Sequence, residues 1–160
     1  MDPTIKNWNK RLTHAQTGHY ITSERYITIN RLIGIPLVVF STFVSAFLFF
    51  ERNDPIEHFS VLMKVLGILV ALLASLQTLM RPTEKAEAHR SCAVKYGNLK
   101  RKLEQFSATK TNPDDWKEFS KEIMIEWCGI ADNAPTTPQS LRKKVDKIIA
   151  DQKRMTDPNI

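Results

Sequence analysis

LIGIPLVVFSTFVSAFLFF, residues 32–50, and FSVLMKVLGILVALLASLQTLM, residues 59–80, decide the fold of this 160-residue chain. The first run carries no charge, and the second has a single one, Lys64, near its start. A bilayer core about 30 Å thick is crossed by roughly 20 apolar residues in a helix, and buried helices of soluble proteins usually have shorter apolar runs. Both runs are long enough to span. Length and hydropathy therefore predict a two-span transmembrane hairpin over residues 32–80 rather than a buried pair in a soluble bundle. The polar stretch Glu51–His58 (ERNDPIEH) is its loop.

The mean hydropathy of −0.28 hides these runs, because the segments before and after them are strongly polar. Four regions follow: an amphipathic helix over 1–31, the hairpin over 32–80, a stalk helix over 81–110 and a helical region over 111–160. No strand-like alternation and no internal repeat occurs, so the expected architecture is all-α and, from the hairpin's small-residue face described below, oligomeric. Cys92 and Cys128 fit no metal or redox spacing, which suits a reducing compartment without disulfides. Met1–Arg31 has no early apolar region of a signal peptide, and neither Asp2 nor Asp157–Ile160 fits a lipidation motif. The spans themselves are the expected anchor.

Charge sets the expected orientation. Lys6, Lys10, Arg11, Arg25 and Arg31 outweigh Asp2 and Glu24 ahead of the first span, whereas Glu51, Asp54 and Glu57 outweigh Arg52 in the loop. Arg81, Lys85 and Arg90 follow the second span. Lysine and arginine favour the cytoplasmic side, so both termini are expected in the cytosol and the short loop outside.

Ahead of the first span, Ile5, Trp8, Leu12, Ala15 and His19 recur at helical seam spacing. His14 and His19, five apart, are poorly placed to share a metal, and neither a metal nor a cofactor is expected. Pro36 frees the carbonyl of Leu32, which membrane helices tolerate. Phe40, Phe43, Phe47 and Phe50 form a row with two readings: lipid-facing or helix-packing bulk, and a hydrophobic constriction of a pore. In the second span Gly67, Ala71 and Ser75 stand four apart, a face that lets helices approach closely within the hairpin, between copies, or both. Gln77 is expected to face protein or water, and Lys64 to reach back toward the loop.

Beyond Pro82, which bends or restarts the helix, His89, Cys92, Tyr96, Leu99, Leu103 and Phe106 make a heptad-like seam whose natural mate is Ile5–His19. Asn112-Pro113-Asp114-Asp115 reads as a helix start, followed by an apolar face of Trp116, Phe119, Ile123 and Trp127. Thr137-Pro138 opens a last helix with Leu141, Val145, Ile148 and Ile149 inward. The formal net charge is +6. Lys100, Arg101 and Lys102, with Arg142, Lys143, Lys144 and Lys147 on the last helix, are the candidate cations for a phosphate-bearing ligand. Anionic lipid or plain solvation is the competing reading. There is no glycine-rich phosphate loop, no His-Glu-x-x-His pair and no activated cysteine, so catalysis is not expected.

The order of several motifs around the spans resembles a known family. Trp8 and Arg11 are followed by His19-Tyr20, Asn30-Arg31 and Gly34-Ile35-Pro36. Leu76-Gln77-Thr78, Glu84-Lys85-Ala86-Glu87-Ala88-His89-Arg90, Tyr96 and Leu99 continue it. This pattern, over about residues 4–106, is similar to the SLATT family of two-span effectors in prokaryotic conflict systems. The resemblance implies a pore-forming antiphage effector that works beside a nucleotide-signal synthetase (a nucleotidyltransferase) and depolarises the host membrane. The expectation is then a homo-oligomeric channel in the lipid bilayer of a bacterial inner membrane, gated from the cytosol by a nucleotide or oligonucleotide. A holin-like pore without ligand and a membrane-anchored interaction module are the alternatives.

Overall fold

The computed structural model describes residues 3–50, 57–109 and 113–156, and among these there is no strand. Helix α1 runs from Pro3 to Phe50, α2 from Glu57 to Met80, α3 from Pro82 to Ala108 and α4 from Pro113 to Asp132. A short 3-10 turn, Gln139–Leu141, leads into α5, Arg142–Thr156. The expected all-α class is what the chain adopts. Most of the expected loop and the capping Asn112 lie outside the described residues. So do the side chains of Phe50 and Lys153.

The chain forms two compact units, divided between Glu24 and Arg25 in α1 and between Lys85 and Ala86 in α3. The first holds the amino-terminal half of α1, the bulk of α3, α4 and α5. Its core is the pairing of two seams: Ile5 and Leu12 of α1 meet Cys92, Tyr96, Leu99 and Leu103 of α3, and Ile123 and Ile130 of α4 close the third side. Leu12, Leu99 and Leu103 are wholly withdrawn from solvent. Burying a leucine side chain contributes about 1.5–3 kcal/mol, so this seam outweighs the weak intrinsic preferences of its polar flanks. The helices come close at Gly97, where an added Cβ would meet the Gln16 side-chain amide at 2.5 Å.

Trp116, Phe119 and Trp127 line the core face of α4, as its apolar spacing predicts. Trp8 stands between Trp116 and Trp127, with ring centroids 5.8 and 6.2 Å away, and Phe106 stacks on Phe119 at 3.8 Å. The α4 helix starts at Pro113, where the missing N–H costs nothing because first-turn donors have no helical partner. The chain after α4 leaves the helix at Asn133, and the last helix opens through the 3-10 turn instead of starting directly at Pro138. Val145 of α5 is buried and faces α1 at Gly18, where its Cγ2 is 3.8 Å from the position of an added Cβ.

The second unit, Arg25–Lys85, holds the two apolar stretches. Two helices are long and apolar enough to cross a membrane, and 6% and 0% of their most apolar windows are covered by the rest of the chain. Helix α1 continues through Pro36. Gln77 donates to the Asn30 Oδ1 at 3.3 Å, beside Gly34, so it faces protein as expected. Arg81 ends α2 in the left-handed region, φ 43°, and Pro82 restarts the helix as α3.

Leu99→Ala should destabilise the helical unit by about 2–5 kcal/mol, the cost of a cavity at a closed site. Ile125→Ala, at an exposed position of α4, should change stability by about 0.5 kcal/mol or less. Denaturant unfolding followed by tryptophan fluorescence reads both.

Candidate functional site

The apolar stretches present their side chains outward. Leu32 is 69% exposed, Phe49 84% and Leu79 82%, values that water does not favour for such residues in this number. Several hydroxyls among them are satisfied by their own helix. Thr42 donates to the Val38 carbonyl at 2.8 Å, Ser75 to Ala71 at 2.8 Å and Thr78 to Ala74 at 3.0 Å. Such internal bonds satisfy a hydroxyl donor without water.

In the phenylalanine row Phe43 is exposed, Phe40 and Phe47 are half-buried, and Phe50 ends the helix. The small-residue face does not lie between the two arms of the hairpin. Ala71 and Ser75 are exposed, and an added Cβ at Gly67 would meet nothing within 4 Å. Of the two packings open to this face, the one within the hairpin is not the one adopted.

The candidate cations are dispersed. Lys100 and Arg101 sit at the rim of a small pocket of about 230 Å³ with Gln16 and Tyr20, but Glu104 shares that rim. Lys100 Nζ is 3.7 Å from Glu104, and Arg101 donates to Asn98 at 2.6 Å. Lys102 points elsewhere, to Glu126 of α4 at 2.6 Å, a bond that raises its pKa. On α5, Arg142, Lys143, Lys144 and Lys147 are all exposed, and Arg142 alone of them lies on the side of α1. There it borders a groove of about 570 Å³ together with Lys10, Arg11 and His14.

Those three residues of α1 were not singled out as ligand contacts in the sequence. A signal for Arg11 and His14 existed: Asn7, Arg11, His14 and Gly18 step by four, three and four along the face adjoining the Ile5–Leu12 seam. His14 Nδ1 approaches Asp146 of α5 at 3.5 Å. The Arg11 guanidinium lies 5.1 Å from the centre of the Trp127 ring, a cation–π contact that steadies it.

Inside the α1–α3 seam is a buried polar cluster. His19 and His89 meet through their Nδ1 atoms at 3.0 Å, so one ring donates and the other accepts. The Cys92 sulfur is 3.6 Å from His19 Nε2, and the Tyr96 ring stacks on His19 at 5.6 Å. Next to them, Ser23 donates across to the Ala86 carbonyl at 2.8 Å. Burial, and then the charge of His89, lowers the His19 pKa to about 4. Burial lowers His89 also, and raises the Cys92 thiol and the Tyr96 phenol. Among the described residues no group of three or more His, Cys, Asp or Glu side chains is arranged to hold a metal ion. No protein-family model, curated protein or solved structure matches this chain.

The histidine pair makes the seam sensitive to acid. The unfolded chain takes up protons on these rings near pH 6.5, while folded His19 resists them down to about 4. Their contribution to stability is therefore full above pH 6.5, falls as the pH drops toward 4 and then levels off. Thermal unfolding of the detergent-solubilised chain across that range should show this slope, and His19→Gln with His89→Gln should flatten it.

Proposed function

We propose that this chain is a homo-oligomeric, pore-forming membrane effector, gated from the cytosol by a phosphate-bearing signal. The observation that carries the reading is the outward apolar surface of the hairpin, uncovered by any other part of the described chain. A bilayer accounts for that surface, and a second copy accounts for the small-residue face on α2. The charge balance around the spans supports both termini in the cytosol, and the resemblance to SLATT effectors supports a bacterial inner membrane. There the helical unit, with its own closed core, would receive the signal.

The resemblance of residues 4–106 to SLATT effectors supports a role in antiphage defence beside a synthetase of nucleotide or oligonucleotide signals. Opening of the pore would depolarise the cell and arrest or kill it. The ligand need only bind one state of the channel more tightly than the other.

A voltage-sensitive dye in bacteria tests this. Depolarisation by the chain alone, relieved by its synthetase, identifies a pore held shut by the signal. Depolarisation that needs the synthetase identifies a pore opened by it. Intact potential in both cases, with insertion confirmed by fractionation, would replace the pore with a tether for the helical unit.

Gly67→Leu with Ala71→Leu should leave insertion intact and reduce the cross-linked oligomer in membranes by roughly threefold or more, since close helix approach needs small residues. Depolarisation should fall with it. An unchanged oligomer would move the contact between copies to another face.

A further inference from the structure

We infer that the open groove between the amino-terminal half of α1 and the start of α5 binds a small phosphate-bearing ligand, an assignment that rests on the ligand-gated reading above. Lys10, Arg11 and Arg142 border it, the first two separated from the third by most of the chain. Among the described residues none of the three is in an ion pair. Asp146 of α5 pairs with His14, which lines the groove, and is itself not part of the wall.

Three like charges around one concavity repel each other, and among the described residues no ion pair offsets them. An anion relieves that repulsion, and a concave wall of one sign focuses the field on it. Arginine and lysine gather phosphate oxygens through charge-assisted hydrogen bonds, with arginine able to present two donors at once. Arg11 is already steadied by Trp127, so less rotational freedom is lost when it engages a ligand.

The volume of about 570 Å³ lies within the range of small-molecule sites and exceeds what inorganic phosphate would fill. Asn7 and Gln139, also on the wall, carry amides that donate and accept, which suits a polar body attached to the phosphate. The Lys100–Arg101 pocket is the weaker candidate. It is less than half the size and has Glu104 in its rim.

The full chain in detergent micelles can be titrated with a trinitrophenyl derivative of ATP as a fluorescent polyphosphate probe. Saturable binding, displaced by ATP and not by adenosine, is the expected result. Lys10→Glu combined with Arg142→Glu should weaken binding by about tenfold or more. Lys143→Glu combined with Lys144→Glu, which changes the same charge outside the groove, should alter it by about twofold or less. The substituted side chains are exposed, so matching melting curves should show that both variants fold.

Equal losses in the two variants would mean diffuse attraction and overturn the site. Flotation with phosphatidylcholine vesicles, with and without phosphatidylglycerol, separates the two sources of phosphate. Groove-dependent binding to phosphatidylglycerol alone, with no binding of the nucleotide probe, makes a lipid headgroup the ligand. Failure of both probes removes the site. Wild-type probe binding by a chain that never depolarises cells would remove the pore and keep the groove. Depolarisation by a chain that binds neither probe would do the reverse.

Discussion

The helical unit depends on the α1–α3 seam, and on the fact that this seam is not apolar throughout. Leu12, Leu99 and Leu103 supply area removed from water, a drive that depends little on register. Hydrophobic stripes at three- and four-residue steps can slide by a turn and still bury most of their surface. His19 against His89, Cys92 beside it and Ser23 on the Ala86 carbonyl cannot, because each polar group would lose its partner in a dry place. Among the described residues no buried side-chain nitrogen or oxygen lacks a hydrogen-bond partner. The polar end thus fixes the register, as buried polar pairs do in coiled coils. The placement of α4 and α5 follows, since Ile123, Ile130 and Val145 need the surfaces that the registered pair creates.

Much of this was legible in residue spacing. Ile5, Leu12 and His19 on one side, and His89, Cys92, Tyr96, Leu99 and Leu103 on the other, follow a seam period that survives any detail of packing. Pro113 marked a helix start, and Trp116, Phe119, Ile123 and Trp127 marked its inner face. The two long apolar helices were legible because each run is almost free of charge over the length of a span.

The groove was hidden for a physical reason: spacing reports which face a helix buries, not which distant element will dock beside its polar margin. Lys10 and Arg11 look like ordinary span-flanking charges until α5 brings Arg142 to them. The same limit applies to Lys100, Arg101 and Lys102, adjacent in sequence yet directed to different neighbours. For Gly67, Ala71 and Ser75 spacing announced a close-contact face without naming its partner, and the structure leaves that face outside the hairpin.

The two apolar arms differ in how they join the rest of the chain. Helix α1, of 48 residues, contributes to both compact units. In the other arm Arg81 sits in a backbone region that costs a non-glycine residue about 1–2 kcal/mol, and Pro82 begins a new helix. Pro36 lies inside the first arm and takes one N–H out of its ladder without ending the helix. Pro82 stands at the first position of α3, where a helix has no use for that donor. The same missing N–H is thus absorbed within one arm and placed at a helix boundary in the other.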